Sequence, residues 1–413
     1  MFYIIQKKSS RDKTINWCYN GLMKSMVHLR KCPTYDPNEV FQAVESAVRS
    51  AEEGGSFPEV KGKTVLLKPN MLIAADPRRA VSTHPEILRS AIRVFTQRGA
   101  RVLVGESPAV QGSLFAARKC GLLTVTEEEG ARWVDFSNTV TLENPQGKLV
   151  KRFEVASEAV EADFVVSLPK LKTHQLMYYT GAIKNLFGTI SGLQKARFHL
   201  RFPERRDFGA MLIDLAVALK PAFTIMDGIV AMEGHGPADG SPRSVGLILA
   251  SADIAALDWI AASVIGYDPA TLVYLVDARS RGIWMTEEPI IDGPPLGDLI
   301  VRDFKRLRVS KEGAVSRTMV PSSLLKGALY NVIRNLVVPR PFFRHDQCIR
   351  CGQCVAICPA QALRFVPNPS KTAPAGLSTD LVEKRIEVDY KTCLRCYCCH
   401  EVCPESAIDI KRF

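Results

Sequence analysis

The sequence lacks the short signatures of several common protein classes. It contains no GxGxxG run and no P-loop, so it does not support a Rossmann dinucleotide site or a P-loop nucleotide site. No GxSxG elbow suggests acyl transfer, and no recognisable nucleic-acid-binding module is present. No stretch is long and apolar enough to span a membrane, and the N-terminus does not resemble an export signal. We therefore expect a cytoplasmic protein.

Composition and charge narrow the remaining classes. The chain has 413 residues and is 46% hydrophobic, which suffices for one large domain with a real core and a smaller second domain. Its formal net charge is +11, and most of the positive excess lies in the first 340 residues. Without a nucleic-acid module, this basic character favours an anionic small molecule or an acidic protein as the partner.

Eight of the twelve cysteines form two copies of one pattern near the C-terminus. Each copy reads Cys-x2-Cys-x2-Cys-x3-Cys-Pro, which is the bacterial iron–sulfur spacing and predicts two [4Fe-4S] clusters. In two-cluster ferredoxins the fourth cysteine of each run ligates the other cluster. We therefore assign Cys348, Cys351, Cys354 and Cys403 to the first cluster, and Cys358, Cys393, Cys396 and Cys399 to the second.

Other interpretations of these cysteines fit less well. Structural zinc uses two separated pairs of ligands, whereas each run here has four cysteines and ends in Cys-Pro. The segment from Cys396 to His400 matches the haem-attachment pattern CxxCH, but both of its pattern cysteines already belong to the longer run. Cys398 lies between two expected ligands, and we interpret it as a small filler or a spare thiol. Cysteines outside the runs are expected to be reduced.

The first three quarters of the chain alternate short apolar strands with amphipathic helices. The predicted strands are Met26–Leu29, Thr64–Leu67, Arg101–Val104, Asp163–Leu168 and Phe223–Met226. The predicted helices run from Asp36 to about Glu53, from Thr83 to Gly99 and from about Phe208 to Leu219. This alternation predicts an α/β domain with a mainly parallel sheet, followed by a small α+β ferredoxin-type two-cluster domain.

The expected boundaries follow from shifts in composition. Residues 1–25 form an irregular N-terminal tail, with the functional start at Met23 or Met26, and residues 26–312 form the α/β domain. Residues 313–341 are a connecting helix or linker, and residues 342–413 are the two-cluster domain. Within the connector, 324–338 has apolar residues at helical spacing, which favours a packed helix and is also compatible with an interfacial membrane helix.

Polar side chains follow several predicted strands. In open parallel sheets, ligands bind outside the carboxyl ends of the strands, so these residues are expected to share one rim. His174, which follows a strand end beside two lysines, is the candidate acid–base residue. The basic segment from Lys195 to Arg206 is compatible with a lid, a docking face or a solvated loop. The candidate substrate-binding residues are Lys68, Asn70, Lys170, Lys172, Lys184 and Asn185.

Taken together, these segments resemble the family numbered 362 among the domains of unknown function. The resemblance covers roughly residues 26–300, and members that carry a C-terminal two-cluster ferredoxin domain are similar throughout, except for the N-terminal tail. It implies the architecture more than a reaction. A fainter likeness to the lactate racemase N-terminal domain extends to the α/β layout. The matching segments are Leu67–Asn70, Thr83–Glu86, Gly105–Pro108, Pro169–His174, Thr180–Gly188, Met226–Ile229, Met232–Pro237 and Ser251–Asp253 with Asp258.

The first functional hypothesis is an iron–sulfur oxidoreductase of anaerobic metabolism. Its clusters would take electrons from a soluble ferredoxin- or flavodoxin-like carrier and pass them to an anionic substrate or cofactor at the basic rim. The second is a non-enzymatic electron-transfer subunit or adaptor that docks an acidic redox partner. The third is cluster storage or delivery. An additional organic cofactor such as flavin has no dependable short signature and stays open.

Overall fold

The computed structural model describes residues 25–284, 287–309, 338–368 and 379–412. Its largest feature is a ten-stranded mixed sheet in which β12, β1, β11, β10, β7, β2, β3 and β4 lie side by side, with β8 and β9 attached at β10. The strands of this sheet are β1 Met26–Lys31, β2 Thr64–Pro69, β3 Arg101–Gly105, β4 Arg132–Val134, β7 Phe164–Leu168, β8 Lys170–His174, β9 Tyr178–Thr180, β10 Phe223–His235, β11 Asp239–Ser251 and β12 Ile290–Asp292.

The centre of the sheet is parallel. Strands β10, β7, β2, β3 and β4 pair in parallel, whereas β11 pairs antiparallel with both β10 and β1. A separate hairpin joins β5 Thr139–Glu143 to β6 Arg152–Ala156. The predicted α/β class with a mainly parallel sheet is confirmed. Parallel strands require helical crossovers, which cover both faces, and this explains why every residue of β2 is buried.

Alternate residues of β2 show the two layers directly. Val65 and Leu67 belong to one apolar core and Leu66 to the other, because successive side chains of a strand point to opposite faces. The helices of the domain are α1 Pro37–Glu53, α2 Pro85–Gln97, α3 Ser113–Lys119, α4 Leu122–Glu128, α5 Ser157–Glu161, α6 Ala182–Asn185, α7 Gln194–Arg201, α8 Arg205–Leu219, α9 Ile254–Val264 and α10 Val273–Ser280. Helices α1 and α2 cover one face of the sheet, and α8 and α9 cover the other.

Local chemistry fixes where these helices begin. The Asp36 side chain accepts hydrogen bonds from the backbone N–H groups of Asn38 and Glu39, and Pro37 occupies the first turn of α1. In α2 the cap is His84, whose Nδ1 accepts from the N–H of Glu86. The predicted helix over 37–53 is therefore observed with its boundaries. The predicted helix from Thr83 begins two residues later, at Pro85.

Three segments differ from their expected structure. The polar residues Lys170–His174, expected to follow a strand end, form strand β8 themselves, which pairs with β9 and with the continuation of β10. The strand that begins at Phe223 does not stop at Met226, because Asp227 and Gly228 continue into a long hairpin with β11. The basic segment from Lys195 is largely helical, since α7 contains most of it.

The C-terminal domain is built from two similar halves. Corresponding cysteines, from Cys348 with Cys393 to Cys358 with Cys403, recur at a constant offset in the sequence. Its strands are β13 Arg340–Phe343, β14 Leu363–Pro367, β15 Lys384–Val388 and β16 Ile408–Lys411, and its helices are α11 Gln353–Ile357, α12 Thr379–Val382 and α13 Cys398–Glu401. Strand β13 pairs with β16, and β14 pairs with β15, so each sheet takes one strand from each half.

Some predictions fall outside the described residues. These are nearly all of the N-terminal tail and the candidate connecting helix at 324–338. Across the part of the chain that the structure describes, no helix combines the length and the apolar character that a membrane crossing requires.

Candidate functional site

The eight patterned cysteines surround two voids in the C-terminal domain. The first void is lined by Cys348, Cys351, Cys354 and Cys403. The second is lined by Cys358, Cys393, Cys396 and Cys399, with Cys398 also on its wall. Each void thus receives three cysteines from one half of the domain and one from the other. Within the described residues, no three His, Cys, Asp or Glu side chains converge on a single-ion site.

Residues with a left-handed backbone conformation allow the two cysteine loops to fold around these voids. Arg350 and Gly352 in the first run, and Arg395 and Tyr397 in the second, all have positive φ. A positive φ reverses the direction of the chain within one residue, so cysteines three apart can face a common centre. For the three residues other than glycine this conformation is unfavourable, which indicates that the surrounding contacts hold the loops in place. One such contact is Arg395 Nη1, which donates to the Val338 carbonyl at 2.7 Å.

The chemistry of the thiols fits an iron–sulfur group. Burial, followed by the neighbouring thiols, raises the pKa of Cys354 to about 12, and burial raises the pKa of Cys393 to about 11. Four thiolates would repel each other here unless a cationic iron centre compensated their charge. The N–H groups of Ala362 and Ala407 donate to the sulfurs of Cys358 and Cys403 at 3.2 and 3.3 Å. Such hydrogen bonds stabilise anionic sulfur.

Three of the predicted rim lysines are buried and already partnered. Lys68 Nζ forms an ion pair with Glu106, and Lys170 Nζ donates to Asp227 at 2.8 Å and to the Tyr35 hydroxyl at 2.9 Å. Lys172 Nζ donates to a backbone carbonyl, that of Val81, at 2.6 Å. Burial and then the nearby Lys184 lower the pKa of Lys172 to about 7. None of the three lies on the wall of the cavity described below.

His174 faces a carboxylate from the C-terminal domain. Its Nδ1 accepts hydrogen bonds from the N–H groups of Leu176 and Met177 at 3.0 and 3.3 Å. The ring proton therefore belongs on Nε2, which lies 3.2 Å from Oε1 of Glu401. Both side chains are buried. Burial opposes ionisation of Glu401, but the pKa of this carboxyl is still lowered because His174 and Lys184 favour the anion.

A cavity lies between the two domains. The α/β domain contributes Lys184, Asn185, Asn70, Glu106 and Lys195, and the C-terminal domain contributes Ile357, Cys398, Glu401 and Val402. Lys184 is half-buried, and its ammonium lies 5.9 Å from the centre of the Phe187 ring. The described structure gives this ammonium no hydrogen bond and no ion pair. Burial lowers its pKa, and the charge of Glu401 opposes that shift.

The structure brings some predicted site residues together and separates others. Asn70, Lys184 and Asn185 line the same cavity. Lys68 lies behind the cavity wall, where its Nζ donates to Asn185 Oδ1. A Cβ atom at Gly188 would lie 2.1 Å from Glu106 Oε1 and 2.6 Å from Lys68 Nζ. Glycine at this position therefore lets the chain pass against the buried ion pair.

Sequence reasoning missed most residues of the cavity wall. Among them are Glu106, Lys195, Cys398 and Glu401. Glu106 stood in Gly105–Pro108, one of the segments that carry the family resemblance, and Lys195 stood in the basic segment, so local signals existed for both. No local signal pointed to Glu401, because a carboxylate close to a cluster cysteine in the sequence is normally expected to be a solvated charge. Only the contact between the domains reveals it.

Replacing His174 with Gln should weaken the dependence of the free energy of unfolding on pH below about pH 6.5. Burial, and then Lys184, lower the pKa of His174 to about 4 despite Glu401. Between pH 6.5 and 4 the unfolded chain therefore binds a proton that the native state does not, and stability falls as the pH falls. Through this residue the wild type should lose about 3 kcal/mol across the window, spread evenly over it because the proton difference is symmetric between the two pKa values. Anaerobic urea titrations from pH 5 to 7 measure the slope.

The exposed His235 supplies the control for this experiment. His235→Gln should keep the slope of the wild type. Parallel pH profiles for the wild type and His174→Gln would contradict the assignment of a buried neutral imidazole.

Comparisons with known proteins agree with this architecture. Residues 65–263 match the family model described as a domain of unknown function, DUF362, and residues 347–407 match a 4Fe-4S dicluster domain. The thylakoid-associated protein of Synechocystis sp. is 32% identical over 270 residues, which span 63% of this chain and 81% of that protein.

Two solved structures are similar at low identity. The lactate racemase apoprotein from Thermoanaerobacterium thermosaccharolyticum has a TM-score of 0.38 at 16% identity, over 59% of this chain and 57% of that one. A protein from Thermotoga maritima has a TM-score of 0.36 at 11% identity, over 62% of this chain and 59% of that one. The chain thus spans a little under three fifths of the length of either structure.

The fold and the dicluster match together define a class. The protein is an iron–sulfur electron-transfer protein in which an α/β domain precedes a ferredoxin-type 4Fe-4S domain. Within that class, the chain belongs to the DUF362 family. The predicted resemblance and the predicted iron–sulfur binding are both confirmed.

Proposed function

We propose that this protein is an oxidoreductase that holds two [4Fe-4S] clusters and delivers electrons to an anionic substrate in the cavity between its domains. The observation that carries the proposal is the position of Cys398, which lines both the second thiol void and the cavity. The two spaces are thus separated by little more than one side chain. Ile357 and Val402 pack with Cys398 against Ala196 of α7 and seal this junction with apolar atoms.

The crossed assignment of the cysteines belongs to this proposal. Cys348, Cys351, Cys354 and Cys403 would hold the first cluster, and Cys358, Cys393, Cys396 and Cys399 the second. Bound clusters would supply one-electron transfer between the surface and the cavity. Cys351 of the first group is exposed, whereas Cys399 of the second is buried. The first site is therefore the side on which a soluble carrier would dock.

The residues of the cavity have separate tasks. Lys184, which lacks a partner in the described structure, would bind an anionic group, with Lys195 as a second cation on the same wall. His174 would favour the Glu401 carboxylate through the contact of 3.2 Å between its Nε2 and Glu401 Oε1. The Lys68–Glu106 pair supports Asn185, because Lys68 Nζ lies 3.4 Å from Asn185 Oδ1. Apolar contacts between the domains would keep water from the space next to the second cluster.

Turnover with a reduced low-potential carrier and a panel of organic acids tests the proposal. We expect Lys184→Gln to lower kcat/KM at least tenfold while iron and sulfide contents stay unchanged, because one charge-assisted contact to the substrate is lost. The matched control is Lys63→Gln, which removes an exposed lysine outside the cavity. Equal activity of both variants would remove Lys184 from the site.

The non-enzymatic electron-transfer subunit is the second candidate. Helix α7 and its N-terminal flank expose Leu193, Leu200 and Arg201, which form a basic and partly apolar surface suited to an acidic protein. This role predicts a complex with an acidic redox carrier whose Kd rises steeply with salt. Such a complex, together with the absence of turnover for every acid tested, would favour it over the oxidoreductase.

A further inference from the structure

We propose that the cavity between the domains binds a singly charged organic acid that carries a hydroxyl or amino group on an apolar body. The inference rests on the proposed function in taking this cavity as the substrate site, and it adds the chemical class of the ligand. Three properties of the wall carry it: its net charge, the unpaired acceptor of Asn70 and its apolar side chains.

The charges on the wall leave room for one negative charge. Lys68 and Glu106 neutralise each other as a buried ion pair. Lys184 and Lys195 are the remaining basic groups, and Glu401 is the carboxylate opposite them. Burial lowers the pKa of both lysines, that of Lys195 to about 7, so the balance is at most about one positive charge. A diphosphate or nucleotide would bring further negative charge close to Glu401 and Glu106, where like charges repel strongly at low dielectric.

Asn70 supplies a hydrogen-bond acceptor that nothing in the described structure satisfies. Asn185 Nδ2 donates to the Lys68 carbonyl at 3.1 Å and to Ser167 Oγ at 2.9 Å, so Asn185 Oδ1 is the acceptor side of that amide. Asn70 Nδ2 donates to this oxygen at 3.2 Å, which fixes the orientation of the Asn70 amide as well.

Asn70 Oδ1 is then left buried without a donor. Buried acceptors are rarely unpaired, and Asn70 lies on the cavity wall. A ligand group that donates a hydrogen bond to Asn70 Oδ1 must therefore carry an O–H or N–H. The negative end of the same molecule would meet Lys184, so the ligand combines an anionic end with at least one hydrogen-bond donor.

Apolar side chains make up a large part of the rest of the wall, beside Ser107 and His199, and would contact the carbon body of the ligand. Apolar side chains combined with placed polar groups are the usual composition of a small-molecule site. A highly hydroxylated ligand would leave its remaining donors unpaired against these side chains. The apolar side chains on the wall include Met71, Leu72, Pro108, Phe187, Ile357 and Val402.

Calorimetry on the oxidised holoprotein, without any electron donor, tests the inference. The probes are pentanoate, its 2-, 3- and 4-hydroxy derivatives, 2-aminopentanoate and pyrophosphate. We expect at least one hydroxy or amino acid to bind about tenfold more tightly than pentanoate, because it satisfies the buried Asn70 oxygen. In Asn70→Ala this advantage should shrink to about twofold or less, while the affinity for pentanoate stays the same.

Several outcomes would overturn the inference. These are tighter binding of pyrophosphate than of every acid, no binding by any acid, and an advantage that persists in Asn70→Ala. Iron content and cluster absorption of the variant show that the fold is intact. Because no electron transfer is measured, a bound acid that is never reduced or oxidised would instead count against the proposed function alone.

Discussion

Replacing Cys403 together with Cys348 should remove about half of the iron, whereas replacing Cys403 together with Cys393 should remove nearly all of it. The first pair lines one void and the second pair is divided between two voids. A [4Fe-4S] cluster that loses a thiolate ligand is destabilised as a unit. Loss of one cluster leaves about four iron atoms per chain, and loss of both leaves close to none.

This comparison distinguishes crossed from uncrossed ligation. If each run held its own cluster, Cys403 and Cys393 would serve the same cluster, and the results of the two double variants would be exchanged. Anaerobic iron and sulfide analysis of variants to serine measures the outcome. The single variants should each lose about four iron atoms, which shows that each site depends on its full set of ligands.

Cys398→Ser is the control from the same loop. Cys398 is buried beside the second void, but it lies outside the Cys-x2-Cys-x2-Cys-x3-Cys spacing that supplies the ligands of each cluster. We therefore expect the full iron content in this variant. A loss of about four iron atoms would mean that Cys398 replaces Cys399 as a ligand.

The fold was predictable where local patterns repeat. The capped helix over 37–53 and the buried strand that begins at Thr64 were visible because apolar periodicity and capping act within a few residues. Strand β8 was missed because it contains three cationic or titratable side chains, Lys170, Lys172 and His174, which are unusual in a buried strand. They are tolerated only because tertiary partners such as Asp227 neutralise or hydrogen-bond them.

The candidate site was predictable only in part for the same reason. Iron–sulfur binding followed from spacing alone, since all ligands of one run lie within eleven residues. The cavity depends on contacts between segments such as Lys184 and Glu401, which are far apart in the sequence. No periodicity or spacing connects them. The sequence therefore indicated a basic rim. The structure shows that most of the lysines expected there are buried and paired with groups inside the protein.

Replacing Glu106 with Leu should lower the free energy of unfolding by about 3–5 kcal/mol, because it leaves the buried Lys68 ammonium without its counter-charge. Lys68 is fully buried and Glu106 is 2% exposed. Restoring an apolar pair with Lys68→Met/Glu106→Leu should recover most of the loss, since no uncompensated charge remains. Urea unfolding under anaerobic conditions, followed by circular dichroism, measures both variants.

The pH dependence of the single variant supplies an independent test. Burial already lowers the pKa of Lys68, and Glu106 opposes that shift. Without Glu106 the folded-state pKa should fall further, so the unfolded chain binds more protons over a wider range below the usual lysine pKa. Stability of Glu106→Leu should therefore rise with pH more steeply than that of the wild type. The exposed pair Arg243–Asp303 is the matched control, and Asp303→Asn should change stability by less than about 1 kcal/mol. A double variant as unstable as Glu106→Leu would show that packing, not the unpaired charge, causes the loss.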